Sequence, residues 1–304
     1  MVEPTISNPF DPWNPVIPPN FLGRFRELRQ LQMALEEGRS VSVVGDWRIG
    51  KSSLLKTWAQ EVTTRGHITV SLSGEDSAAQ SLQTFVQTIT GMQTIDEPDQ
   101  AADVLVDWAV QEGNPGLPPV LLVDEVGACL KLFPSRFFER LRGMLGKIIL
   151  VLASHRDIDS IYTDLGHTSP FGNRLSIVRL GLLEPEIPNV IIHWAEQMLT
   201  VEAMHTMRVW AGRHPFYLQL LGYHLINAQQ AEESVDCALD SFYDDATVRL
   251  RKLWDTLNER EQQALRESLQ GKFVTRRSLR IRGLVTEEGK LFGEVLREWL
   301  EQEV

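Results

Sequence analysis

The sequence predicts an α/β protein: a parallel sheet covered by helices, followed by a helical domain and a winged-helix tail. Three observations predict it. Five short apolar runs alternate with helical stretches in the first 180 residues, a pattern that parallel strands buried on both faces produce. No strong strand pattern follows Leu182; the chain there reads as helices. The last 50 or so residues read as helix, short helix, turn, short strands and final helix, the order of a winged helix.

Residues 1–20, "MVEPTISNPFDPWNPVIPPN", are proline-rich and acidic, without the basic and apolar regions of a secretory signal, and read as an arm. "FLGRFRELRQLQMALEEG" carries Leu28, Leu31 and Leu35 at helical spacing and stops at Gly38. The strand candidates are "SVSVVG" (Ser40 to Gly45), "ITVSL" (Ile68 to Leu72), "VLLVDE" (Val120 to Glu125), "IILVLAS" (Ile148 to Ser154) and "SIVRL" (Ser176 to Leu180). Helical stretches such as Ser52 to Val62 and Ala78 to Thr90 separate the first three. "IPNVIIHWAEQML", "VEAMHTMRVWAG" and "PFYLQLLGYHLINAQQA" form the helical domain. The expected boundaries are an arm at 1–20, the sheet domain at 21–181, a helical lid at 182–245 and the winged helix at 246–304.

Composition narrows the function classes. The 304 residues are 43% hydrophobic and 23% charged, ordinary for a globular protein and unlike a disordered chain. Cys129 and Cys237 stand far apart, with no second cysteine or close histidine to complete a metal-binding spacing. No apolar run approaches the roughly 20 residues of a membrane helix, and a cytoplasmic protein without a membrane partner is expected. The net charge is -11, yet residues 251–304 carry 11 Lys and Arg against 10 Asp and Glu, so the acidity resides in the rest. An acidic body opposes unspecific attraction to nucleic acid, and any DNA contact has to be local.

The chemistry is concentrated in "VSVVGDWRIGKSSLL". Gly45, Gly50, Lys51 and Ser52 satisfy G-x-x-x-x-G-K-[ST] between a strand and a helix, the context that makes the pattern a phosphate-binding loop. Such a loop, here Gly45 to Ser53 and including Arg48 and Ile49, wraps phosphate with inward N–H groups, and the following helix N-terminus adds partial positive charge. Lys51 would reach the β- and γ-phosphates of ATP, and Ser52 would hold Mg²⁺. A second motif stands where the first requires one: "PPVLLVDEVG" ends a strand in Asp124, suited to Mg²⁺, and Glu125, suited to polarising an attacking water. A third strand end, "IILVLASHRDI", supplies Ser154, His155 and Arg156; Arg156 is the expected phosphate sensor, because a strand-end histidine is more often structural. Together these residues predict an ATPase. A small-molecule kinase shares the loop but not the "VDE" strand end with a lid and winged helix.

The series "FLGRFREL", "VVGDWRIGKSSLL", "LLVDEVG", "LVLASHRDI", "SPFGNRLSIVRLGLL" and "AGRHPFYLQLLGYHL" resembles the AAA-related ATPases of the STAND class, in the prokaryotic AAA-like and archaeal-type subgroup, from Asn8 to Trp299. The resemblance implies a P-loop NTPase sheet of AAA-like type whose magnesium-binding strand is not adjacent to the phosphate-loop strand, with a helical lid and a C-terminal winged helix. It places Phe21, Gly23 and Arg24, and the Gly212 to Pro215 turn, near the adenine, with Pro215 meeting the base. It aligns Ser154, His155 and Arg156 with a sensor triplet, with histidine where a hydroxyl is usual. It makes Arg174, within Ser169 to Arg174, a candidate inter-subunit arginine finger, or else a brace for the loop.

The resemblance also implies an ATP-driven switch that moves or oligomerises with ATP and is reset to ADP, acting through self-association or a separate effector protein, in signalling or antiviral defence. A DNA-binding loader or transposition regulator is the alternative. Arg276, Arg277, Arg280 and Arg282 could face a DNA backbone, although too few residues lie between Leu269 and Gly283 for two ordinary helices, which points to domain packing. Trp47 stands where a small residue or arginine is common, and is expected to pack on the arm, on another subunit or on the surface.

Overall fold

In a computed structural model of the chain, the described residues are 8–93, 97–114, 116–167 and 171–304. They form two compact units, one within Phe25–Asp46 and Lys51–Leu180, the other made of residues 8–24 with Trp47–Gly50 and Gly181–Val304.

The first unit holds the sheet. Its helix α1 (Phe25–Glu36) precedes β1 (Val41–Val44), and α2 (Lys51–Thr64) leads to β2 (Thr69–Ser73). Next come α3 (Leu82–Thr90), α4 (Pro98–Glu112), β3 (Val120–Asp124), α5 (Gly127–Leu132), α6 (Ser135–Arg142), β4 (Ile149–Ser154), α7 (Ile158–Asp164) and β5 (Ser176–Arg179). All the expected strands form. Their order is β2-β3-β4-β1-β5, and every pairing is parallel. Leu121, Val123, Leu150 and Leu152 share one core with α3, α4 and α6. The alternate residues Val120, Leu122, Ile149 and Val151 are equally buried. With both faces covered, the strands read as unbroken apolar runs.

The second unit is helical: α8 (Ile187–His193), α9 (Val201–Ala211), α10 (Pro215–Gln230), α11 (Val235–Trp254), α12 (Glu259–Ser268), α13 (Arg277–Ile281) and α14 (Glu294–Glu303). An antiparallel bridge between Val285 and Leu291 makes the small wing. The boundary expected at 245/246 falls inside α11, which runs unbroken from its Ser234 cap, where the hydroxyl accepts from the Cys237 N–H, to Trp254. One apolar core joins the lid and tail segments, from Leu183 and Leu218 through Phe242 to Trp299. The tail keeps one short helix, α13, between Leu269 and Gly283, as its length dictates.

The described part of the arm, residues 8–20, joins this core through Phe10. Phe10 is buried against Gly222 of α10, where a Cβ would meet its ring at 2.6 Å, and Asn8 Nδ2 donates to Tyr223 O at 3.1 Å. Trp13 sets its edge on the Tyr223 ring, centroids 4.7 Å apart.

Candidate active site

The sheet brings three functional strand ends into one row. β4 lies between β1 and β3, with Val44 opposite Ser154 and Val123 opposite Leu152. The loops after β1, β3 and β4 therefore leave neighbouring positions at the C-terminal edge, where α/β sheets bind ligands. Gly45 extends the ladder by one bond, its N–H donating to Ser154 O at 3.2 Å.

The glycine loop then turns into α2, a helix of 14 residues beginning at Lys51. Gly50 has φ +101, open to glycine and strained for other residues. Lys51 is buried, and its Nζ donates to Gly45 O at 3.1 Å and Asp46 O at 3.2 Å. Two loop carbonyls therefore aim the ammonium across the loop it belongs to. Glu125 Oε1 stands 3.7 Å from the same nitrogen.

Ser52 and Asp124, 72 positions apart in sequence, meet directly: Ser52 Oγ donates to Asp124 Oδ2 at 2.5 Å. A hydroxyl and a carboxylate are hard oxygen donors, and a pair at this position fits Mg²⁺, which is held by one or two protein oxygens and by phosphate. Among the described residues no cluster of three His, Cys, Asp or Glu could form an all-protein metal cage.

Glu125 follows with φ +46, a left-handed conformation that costs about 1 kcal/mol or more in a non-glycine residue and recurs at functional sites. Its N–H donates to Asp124 Oδ1 at 2.9 Å, which fixes the two carboxylates relative to each other. Burial pushes the Glu125 carboxyl above the usual range, Lys51 pulls it back, and Asp124 and Glu75 add to the rise. Sequence reasoning missed Gly74. Its N–H donates to Asp124 O at 2.8 Å, and a Cβ there would meet Glu125 O at 2.4 Å, so only glycine lets the end of β2 approach the acidic pair. A glycine directly after a strand was the available signal.

The third strand end carries Ser154, His155 and Arg156. Arg156 is exposed and ion-paired with Asp164 at the end of α7. Ser154 Oγ donates to Arg156 O at 2.6 Å. His155 instead lies in the field of Lys51. Burial lowers its pKa first, followed by the charges of Lys51 and Arg156. Arg174 is exposed in the short turn before β5, and Ser169 and Pro170 lie outside the described residues.

The expected base-side residues belong to the helical unit. Arg24 is buried with φ +61, and its guanidinium donates to Gly181 O (2.8 Å), Leu182 O (3.3 Å) and Ile49 O (2.7 Å). It thereby braces Ile49 of the glycine loop. Gly23 packs so tightly that a Cβ would stand 2.6 Å from Glu184 Oε2. Phe21 is half-buried, and Pro215 opens α10 at a position where its missing N–H costs nothing. Arg48 holds the arm: its Nη1 donates to Pro12 O and Trp13 O at 3.5 and 3.4 Å.

A sheet with the glycine loop on β1, the acidic pair on β3 and β4 between them settles the architecture. The fold is that of the P-loop ATPases. Solved structures of that fold agree along almost the whole chain. The Walker-type ATPase paby2304 of Pyrococcus abyssi superposes with a TM-score of 0.62 at 13% identity, covering 92% of this chain and 96% of that one. The Aeropyrum pernix ORC2 protein, solved in ADPNP-ADP complexes, gives 0.58 at 15% identity, covering 94% and 81%. The Aeropyrum pernix ORC1 protein, solved in complex with DNA, gives 0.53 at 14% identity over 94% of each chain. No protein-family model and no curated protein matches the sequence. Among the described residues no helix is long and apolar enough to cross a membrane.

Proposed function

We propose that the protein is an ATPase working as a nucleotide-controlled switch of the STAND type. The observation that carries the reading is the convergence of Lys51, Ser52, Asp124 and Glu125: one ammonium for phosphate, an oxygen pair 2.5 Å apart for Mg²⁺, and a half-buried carboxylate 3.7 Å from the ammonium. Bound Mg²⁺ would neutralise charge on the β- and γ-phosphate oxygens. Lys51 holds the transferred phosphoryl group, and the N–H groups at the start of α2 take the oxygens the ammonium does not reach. Glu125 orients a water and accepts its proton as the water oxygen attacks the γ-phosphorus; the bond to the bridging oxygen breaks, leaving ADP and inorganic phosphate. Phe21, Gly23, Arg24, Arg48, Ile49, Ser53 and Pro215 are assigned to the nucleotide, and Arg156 becomes available to phosphate on leaving Asp164.

The switch reading adds nucleotide-dependent assembly or binding of a separate effector. Native mass spectrometry with ATP, with ADP and with the Glu125→Gln variant tests it. A change in mass that ATP produces, ADP reverses and Glu125→Gln makes persistent supports a switch; identical mass and protease pattern in all three states removes it.

A second reading, a DNA-associated ATPase, is favoured by Arg276, Arg277 and Arg280, all exposed at α13, and by the fold shared with an ORC1 protein solved on DNA. Arg282 is engaged within the protein, donating to Thr256 Oγ1. DNA binding at low salt that weakens with added salt and on replacing Arg276, Arg277 and Arg280 by Ala supports this reading; no binding at low salt excludes it.

A further inference from the structure

The helical unit contains a cavity of about 700 Å³ whose lining shares only Arg48 with the residues assigned to the nucleotide. Trp47 and Arg48, from the tip of the glycine loop, form one wall; His214, Phe216, Arg249 and Lys252 line the rest, with further apolar side chains. The Phe216 ring has two guanidiniums over it, Arg48 at 5.6 Å and Arg249 at 4.8 Å from its centroid. Neither has a carboxylate partner among the described residues. Arg48 donates to the neutral carbonyls of Pro12 and Trp13, and Arg249 Nη1 donates to Asp245 O at 2.6 Å. The one acid on the wall, Asp245, gives its Oδ2 to His224 Nε2 at 3.0 Å.

Two like charges beside one ring repel each other, and an anion in the cavity would relieve that repulsion. Burial lowers the pKa of Arg48, and the neighbouring charge of Arg249 lowers it further. The aromatic content is as marked. Trp47 is 41% exposed, and Tyr217 and Phe292, also on the lining, stack with centroids 5.2 Å apart. His214 is 4% exposed, and its Nδ1 has no hydrogen-bond partner, a buried polar atom that a ligand can satisfy. Cations on an aromatic wall, with an unmet buried nitrogen, select a planar ring that carries a negative charge.

We propose that this cavity is an effector site for a planar aromatic organic anion, separate from the phosphate site at Lys51. Because Trp47 and Arg48 belong to the glycine loop, a ligand against them biases that loop, and nucleotide and effector then change each other's affinity by one common factor. The cavity stands without the nucleotide reading; the coupling rests on it.

The test uses the full-length protein with 1-anilinonaphthalene-8-sulfonate as aromatic anion and N-phenyl-1-naphthylamine as its uncharged counterpart, followed by fluorescence, with ADP binding measured separately by calorimetry. The sulfonate is expected to bind one-to-one, at least tenfold tighter than the amine, and equally well to Lys51→Ala. Arg249→Gln is expected to weaken it at least fivefold while leaving ADP binding unchanged. Lys252→Glu, at an exposed position, serves as a second variant and is expected to act in the same direction. Saturating ADP is expected to change the sulfonate affinity at least threefold. No one-to-one binding, no preference over the amine, loss of binding in Lys51→Ala, or insensitivity to both Arg249→Gln and Lys252→Glu overturns the site. A sulfonate affinity untouched by ADP, in protein that binds ADP, overturns the effector role; failure to bind ADP at all strikes the nucleotide reading and leaves the cavity standing.

Discussion

Ser52 Oγ donates to Asp124 Oδ2 at 2.5 Å, joining the first turn of α2 to the end of β3. The contact crosses β4, because β1 and β3 are not neighbours in the sheet. It is the point at which two separate motifs become one site. Removing either partner should disturb stability slightly and catalysis strongly: a hydrogen bond to a charged group contributes about 1.5–3 kcal/mol at most. For Ser52→Ala and Asp124→Asn we expect urea unfolding within that range of the wild type, while Mg²⁺-dependent ATP turnover falls at least a hundredfold.

Lys51→Ala removes the ammonium that Gly45 O and Asp46 O now hold. Calorimetry should find ATP binding weakened at least tenfold, with the circular dichroism spectrum unchanged. Affinity equal to wild type would mean that the nucleotide is not held by this loop.

Gly212 has φ 54 and ψ -126 at the end of α9, and a Cβ there would lie 1.6 Å from Phe292 O. That overlap is with backbone and cannot be relieved by a rotamer change. Gly212→Ala should therefore cost more than about 3 kcal/mol, measured as a shift in the urea midpoint, or abolish soluble expression.

His214 packs between Tyr217 and Phe292, with ring centroids 4.7 and 5.1 Å away, and burial lowers its pKa to about 3, with the charge of Arg24 adding to the fall. The folded protein thus keeps this ring neutral where the unfolded chain, near pH 6.5, binds a proton. Its contribution is complete above pH 6.5 and is lost as pH falls towards 3, with a slope of up to about 1.4 kcal/mol per pH unit. His214→Phe, which keeps a ring in the core, should flatten the stability profile between pH 4 and 6 by close to one proton; an unchanged slope would show that the group does not titrate as described.

Much of this was legible in the sequence, for identifiable reasons. Strands buried on both faces leave unbroken apolar runs, and Val120 to Asp124 was readable before any contact was known. Lys51, Ser52, Asp124 and Glu125 were readable because phosphate chemistry fixes their spacing within each motif. The docking of Phe10 against Gly222 was not, since it joins positions 212 residues apart through shape alone. The unbroken course of α11 through 245 is hard to read because its acidic "DSFYDDAT" stretch hides the apolar stripe of Ala238, Phe242, Ala246 and Leu250. The pairing of Arg156 with Asp164 and the proximity of His155 to Lys51 depend on the course of the chain after β4, and one-dimensional spacing does not contain that information.

The central claim is hydrolysis by Glu125 at the glycine-loop site, and the most direct measurement is single-turnover ATP hydrolysis by wild type and Glu125→Gln, with ATP binding determined in parallel. Glu125→Gln should bind ATP within about threefold of wild type and hydrolyse it at least a hundredfold more slowly, in line with losses from removing a catalytic base. Wild-type protein that binds no ATP, or a Glu125→Gln variant that hydrolyses at the wild-type rate, would contradict it.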